Sequence, residues 1–164
     1  MAMFRFRTQS SGSSQRLSDT EAILFEFPFR NLAVLKVLRT NGGKMVKFLI
    51  HVTCGVENPT KAALAFLVAK SAIDEKHQVT MFLAGDAAQL LRPAAVESLA
   101  GLGTGPLKAH VDAILAGGGK FYVSGMSAKS RGFEASELGA TPAEFAMPNV
   151  LVRLAAEADK VLCY

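Results

Sequence analysis

The sequence has few cysteines and no long apolar run, and both shortages exclude whole classes of protein. Its 164 residues include two cysteines, Cys54 and Cys163, too few and too far apart for a disulfide framework or a zinc ribbon. The longest uninterrupted apolar run, residues 62–69, has eight residues, whereas a membrane-spanning helix needs about 20. The start lacks the pattern of a secretory signal. We therefore expect neither an integral membrane protein nor a secreted one, and a reducing cytoplasm is the expected compartment.

The excess of positive charge is confined to the start of the chain. Residues 1–44 contain seven basic and three acidic side chains, a net charge of +4, whereas residues 45–164 contain eleven of each sign. Domains that bind nucleic acid usually carry a basic face. The charge balance of residues 45–164 therefore gives no electrostatic reason to expect a nucleic-acid partner.

The composition divides the chain at about residue 44. Residues 8–18 are polar with nothing to bury, residues 22–38 are more apolar, and Asn41 with two glycines then breaks the chain. We expect residues 1–44 to be a flexible extension or the product of a misassigned upstream start codon. Two alternatives remain open. One is an organelle-targeting presequence, against which the acidic residues count, and the other is a segment that docks on a partner through its phenylalanines.

From Met45 onward the pattern predicts alternating strands and helices. We expect strands at 46–53, 77–83, 120–123 and 159–164, and helices at 60–75, 87–91, 94–100, 106–116 and 149–158. Asn58 and Pro59 mark one helix start, because Asn is a preferred N-cap and Pro suits the first helical position. Strands separated by helices favour an α/β domain over residues 45–164, with a mainly parallel sheet covered on both faces.

Ligands of open parallel sheets bind beyond the carboxyl ends of the strands. That rule selects three predicted loops, at 54–58, 84–86 and 124–132. The candidate site residues in them are Cys54, Glu57, Asp86, Ser124, Gly125, Ser127, Lys129 and Arg131. Together they would bring a thiol, carboxylates, hydroxyls and two cations to one edge of the sheet.

Cys54 is the most reactive group of this set. A thiol just before a helix N-terminus can have a lowered pKa, and the thiolate is the form that attacks sulfur or takes up a persulfide. A sulfur carrier would therefore have an exposed Cys54 thiol of lowered pKa. The alternative is a small buried residue in a tight turn. Cys163, near the end of the last strand, is expected only to pack.

Residues 124–132 have the composition of an anion cradle. Their glycines let a ligand approach the backbone, their hydroxyls and N–H groups can coordinate oxygens, and Lys129 and Arg131 add positive charge. The alternative is a hydrogen-bonded turn with a solvated basic face. No P-loop frame is present. No histidine pairs with another histidine or a cysteine at metal-ligand spacing, so we expect neither a metal nor a cofactor.

Four segments in combination resemble the DsrE/DsrF-like family, small α/β proteins that include the sulfur-relay subunits of the Dsr and Tus type. They are Phe48–Gly55, Pro59–Phe66, Val79–Asp86 and Phe121–Gly132, and the resemblance extends from Met45 to Tyr164. It implies a Rossmann-like three-layer sandwich and assembly into homo-oligomers, either trimers or hexamers.

The resemblance also assigns a role to position 124. In the sulfur-relay members, a cysteine seven residues before an Arg-Gly pair carries a persulfide, and counting back from Arg131 places that position at Ser124. A hydroxyl cannot hold a persulfide. Two functions stay open: a sulfur carrier that uses Cys54 with a protein donor or acceptor of sulfur, and a non-catalytic oligomeric subunit that binds a small anion near Ser124, Ser127 and Arg131, or that serves as an accessory subunit.

Overall fold

The structure of the protein is a computed structural model that describes residues 44–164. The expectations for residues 1–43 lie outside the described residues. In chain order the elements are β1 (Lys47–Val52), α1 (Pro59–Asp74), β2 (Gln78–Leu83), a 3-10 helix (Gly85–Leu91), α2 (Pro93–Ser98), β3 (Ala100–Gly101), β4 (Gly105–Pro106), α3 (Leu107–Ala116), β5 (Lys120–Ser124), α4 (Gly125–Ser130), a second 3-10 helix (Ala135–Leu138), β6 (Glu144–Ala146), α5 (Pro148–Glu157) and β7 (Lys160–Cys163).

Five parallel strands form the main sheet, in the order β6-β5-β2-β1-β7. The two-residue strands β3 and β4 form a separate antiparallel pair. Because all five strands run the same way, their carboxyl ends lie along one edge of the sheet. The predicted α/β fold with a mainly parallel sheet is confirmed, and the candidate loops follow strands that are hydrogen-bonded neighbours.

One face of the sheet is fully apolar and is covered by α1 and α3. Side chains alternate along a strand, so Ile50 and Val52 point to the same side as Met81, and all three are buried. Phe66 of α1 stacks on Phe121 of β5, with ring centroids 6.0 Å apart. This layer contains most of the buried core.

Among residues 44–164, the opposite face is covered by α5 alone, and less completely. Leu49 and Phe82 are buried there against the partly buried α5 side chains Leu151 and Leu154. No residue of α5 itself is buried. The sheet therefore has a tightly packed side and a partly open side. Within residues 44–164, every helix is too short or too polar to cross a bilayer.

The structure differs from the sequence-based predictions in three local details. Residues 124–132 are not a continuous loop, because Ser124 caps α4: its hydroxyl accepts a hydrogen bond from the Ser127 backbone N–H at 3.3 Å. The helix predicted at 87–91 is present as a 3-10 helix that begins two residues earlier, at Gly85. The edge strand β6 was not predicted, since three residues are too few to show an alternating pattern.

The N-cap of α1 forms at Asn58, as the sequence predicts. The Asn58 side-chain oxygen accepts a hydrogen bond from the Lys61 N–H at 3.1 Å, with Pro59 at the first helical position. Asn58→Ala leaves that N–H without its partner and should lower the free energy of unfolding by about 1 kcal/mol. Urea denaturation measures the change. Asn58→Asp keeps the acceptor and should leave stability near the wild-type value; an equal loss in both variants would contradict the capping role.

Candidate functional site

The three segments selected from the sequence meet at the carboxyl edge of the sheet. The Gly85 backbone N–H, just after β2, donates to the Ser127 hydroxyl of α4 at 2.9 Å. Gly85 has a φ of +57°, a conformation that glycine adopts readily. The turn after β2 is thereby tied to the segment that follows β5.

The loop after β1 packs directly on the same turn. A Cβ atom added at Gly55 would lie 2.5 Å from the backbone oxygen of Asp86, well inside van der Waals contact. Only a glycine allows the two loops to approach this closely. The Glu57 carboxylate folds back on its own loop, where its Oε1 accepts from the Gly55 N–H at 2.7 Å. Glu57 therefore stabilises the turn after β1 and is not joined to residues 124–132 by any hydrogen bond among residues 44–164.

The two serines of the predicted cradle are hydrogen-bonded, and the Ser127 hydroxyl donates to the Ser124 hydroxyl. Ser124 is buried, and its hydroxyl oxygen lies 3.1 Å from that of Ser127. The Ser127 hydroxyl also accepts from Gly85. The Ser124 oxygen thus accepts two hydrogen bonds from Ser127, one from its backbone N–H and one from its hydroxyl, and both hold the start of α4 in place.

Arg131 and Asp86 form an ion pair across the site. Both Nε and Nη2 of Arg131 donate to Asp86 Oδ1, at 3.0 and 2.7 Å, and Nη1 donates to the Ser127 carbonyl oxygen at 3.2 Å. Asp86 is exposed and Arg131 is half-buried. The charge of Arg131 is therefore matched by a carboxylate of the protein.

Lys129 is the cation that this pairing leaves available. It is exposed and forms no ion pair with any residue from 44 to 164. Together with Gly125 it lines a pocket of about 310 Å³ whose apolar wall includes Phe133 and Phe145. The rings of these two phenylalanines lie 5.6 Å apart. We call this space the Lys129 pocket.

Arg92 holds the wall of the Lys129 pocket in place. Its Nη2 donates to the carbonyl oxygens of Arg131 and Gly132, at 3.2 and 2.9 Å, and its guanidinium lies 4.9 Å from the centroid of the Phe133 ring. Sequence reasoning missed Arg92 and both phenylalanines. Nothing in the local pattern distinguishes them, because their roles arise from contacts between distant segments.

The Cys54 thiol has the opposite properties from those that a sulfur carrier requires. The residue is buried, with 9% of its surface exposed. Burial raises the pKa of the thiol, and the nearby Lys61 charge opposes this effect only in part. Of the two interpretations of Cys54, the geometry favours the small buried residue, because the side chain packs in the layer covered by α1.

Cys163 was expected to pack and is instead exposed. It lies at the end of β7, beside His51 in the parallel register, on the face that α5 covers incompletely. The described part of the chain holds no group of three or more His, Cys, Asp or Glu side chains arranged to bind a metal ion.

Comparisons with known proteins bear on the family and the fold. A model of the DsrE/DsrF-like family matches residues 46–164. The solved structure of the ychN protein from E. coli has a TM-score of 0.58 at 16% identity, and the match covers 73% of this chain and 100% of that one. A conserved protein of unknown function from Bacteroides thetaiotaomicron has a TM-score of 0.48 at 14% identity, with 72% and 94% covered. No curated protein matches the chain.

The match to the family model confirms the resemblance inferred from the four sequence segments. The likeness to the ychN protein supports the shared fold alone, because the identity is low. The site residues themselves stay predictions that rest on the geometry described above.

The contact between the loops after β1 and β2 predicts an asymmetry between two glycines. Gly55→Ala forces a methyl group against the Asp86 carbonyl and should lower the free energy of unfolding by about 1–3 kcal/mol. At Gly125 a Cβ would lie 3.7 Å from its nearest neighbour, so Gly125→Ala should not destabilise the fold. Urea denaturation of both variants tests this; similar losses would contradict the close approach at Gly55.

The two cysteines should differ in their reaction with a chromogenic disulfide reagent near neutral pH. Cys163 is exposed and should react first, whereas Cys54 should react slowly because burial and a raised pKa both reduce the accessible thiolate. The fast phase should disappear in Cys163→Ser and persist in Cys54→Ser. A fast phase that disappears only in Cys54→Ser would show that Cys54 is the activated thiol after all.

Proposed function

The chain belongs to the DsrE/DsrF-like family, and we propose that within it this protein is a non-catalytic subunit that binds a small organic anion. The binding site would be the Lys129 pocket at the carboxyl edge of the sheet. The proposal rests on Lys129. Its exposed ammonium group forms no ion pair with residues 44–164, and the side chain lines a pocket with an aromatic wall.

The chemistry of the pocket favours a ligand with one charged end and an apolar body. Lys129 provides the positive charge, and the half-buried Phe145 ring, packed against the buried Phe133 ring, provides the apolar surface. The Glu134 carboxylate, which also lines the pocket, accepts a backbone hydrogen bond in the capping box of the second 3-10 helix. Small-molecule sites commonly combine such an apolar wall with a few polar groups.

The sulfur-carrier alternative has less support from the geometry. Cys54, the thiol at the end of β1, is buried with a raised pKa, and Ser124 occupies the position that the family resemblance assigns to a persulfide cysteine. The Ser124 hydroxyl is also engaged by Ser127. The exposed thiol at this edge is instead that of Cys163, at the end of β7, and the resemblance assigns no sulfur chemistry to that position.

Homo-oligomerisation is part of the proposal. The family resemblance implies trimers or hexamers, and large apolar side chains are exposed on the partly open side of the sheet and its edge strand, including Val152 (69% exposed) and Val161 (45%). Apolar surface of this kind is often covered by a second copy. We place the subunit in the cytoplasm, with no nucleic-acid or membrane partner, in accordance with its charge balance and low cysteine content.

Titration with benzoate tests the Lys129 pocket, because benzoate pairs one carboxylate with one aromatic ring. Amide chemical shifts in the NMR spectrum should move around residues 125–135 and Phe145, and Lys129→Gln should weaken the affinity about tenfold, as expected for loss of one charge-assisted contact. Lys160→Gln removes an equal charge from an exposed position on β7 and should leave the affinity unchanged.

Benzyl alcohol provides the matched ligand control, since it keeps the ring and lacks the charge. Benzyl alcohol should bind the wild type more weakly than benzoate does. Its affinity for Lys129→Gln should equal its affinity for the wild type. Benzoate binding that is insensitive to Lys129→Gln, or shifts confined to another region, would contradict the proposed site.

A further inference from the structure

We propose that a second, basic groove at the amino ends of the strands binds a small ligand that carries two or more phosphate groups. This site is separate from the Lys129 pocket and does not depend on it. The groove lies between the sheet and α5 and has a volume of about 380 Å³. Its polar lining consists of three basic side chains, three neutral ones and one carboxylate: Lys47, Lys120, Arg153, Gln78, Thr80, Tyr122 and Glu157. We call it the amino-edge groove.

The strand register brings the polar side chains of this groove together. Lys47 of β1 lies beside Gln78 of β2, and Thr80 lies beside Lys120 of β5. Their positions alternate with the buried residues of the α1-α3 face, so their side chains share the face that α5 covers. Strands buried on both faces of a parallel sheet are usually apolar throughout. The polar residues at the start of these three strands therefore form a part of the sheet that is suited to contact with solvent or a polar ligand.

The charges in the groove are unbalanced. Lys47, Lys120 and Arg153 are all exposed, and none forms an ion pair with another residue in 44–164. Glu157 is the one acidic residue of the lining. The nearby Asp159 carboxylate accepts a hydrogen bond from the Lys47 backbone N–H at 2.9 Å. Three cations around one groove repel each other, and a bound anion would relieve that repulsion.

The number and type of donors indicate the class of ligand. Arginine and lysine are the side chains that most often bind phosphate oxygens, and three such cations suit a ligand with several negative charges. Thr80 and Gln78 add neutral donors, and the Tyr122 ring is stacked at 12° on Phe82, which fixes the wall of the groove. The volume falls within the range of small-molecule sites, about 300–1,000 Å³. A nucleoside diphosphate and a short inorganic polyphosphate share this chemistry.

Calorimetric titration of the full chain with ADP, and separately with inorganic tripolyphosphate, tests the proposal in a buffer of low salt containing a chelator. We expect saturable binding of at least one probe, with an affinity that falls as salt is added. Lys120→Gln combined with Arg153→Gln should weaken it about tenfold or more. Lys61→Gln, which removes an exposed charge on α1, should leave it unchanged.

Each outcome distinguishes a source of the ligand or overturns the site. Binding of ADP alone would identify a nucleotide ligand, and binding of tripolyphosphate would show that the phosphate chain suffices. Absence of saturable binding for both probes would overturn the proposal. So would equal weakening by the double variant and by Lys61→Gln, because that result indicates general attraction to a cationic chain. Circular dichroism verifies folding, and Lys120→Gln alone serves if the double variant is unfolded.

Discussion

The different composition of the two faces of the sheet is the constraint on which the rest of the structure depends. Along β1, β2 and β5, every second side chain is apolar and buried under α1 and α3. The intervening positions are polar at the amino ends of the strands and become apolar only where α5 packs. Because a strand cannot shift by one residue without exchanging its faces, the burial of one side fixes which polar groups are displayed on the other.

At the carboxyl edge of the sheet, most of the candidate site residues contact one another. The Gly55 backbone lies against the Asp86 carbonyl, the Ser127 hydroxyl joins Gly85 to Ser124, and Arg131 is neutralised by Asp86. Side chains predicted to bind a ligand thus stabilise one another. Among the candidate residues in 44–164, Lys129 stays available as a cation beside an aromatic wall, an arrangement that suits non-covalent binding better than group transfer.

Local patterns predicted most of the fold and the meeting of the three segments that hold the candidate site residues. The cap at Asn58, the strand and helix boundaries to within about two residues, and the meeting of the three loops all depend on short-range signals. The exposure of the two cysteines could not be predicted from local patterns, because it depends on which face of the sheet is covered and how completely. The pairing of Arg131 with Asp86 joins residues far apart in the chain, and no spacing rule indicates it.

The most direct test of the non-catalytic assignment is intact-mass spectrometry of the wild type, Cys54→Ser and Cys163→Ser after incubation with a cysteine desulfurase and cysteine. Each variant leaves one cysteine in the chain. With the desulfurase shown to be active on a control acceptor, we predict no change in mass in any of the three. A gain of one sulfur atom would contradict the assignment and make this protein a sulfur carrier, and the variant that fails to gain it would identify the cysteine that accepts the sulfur.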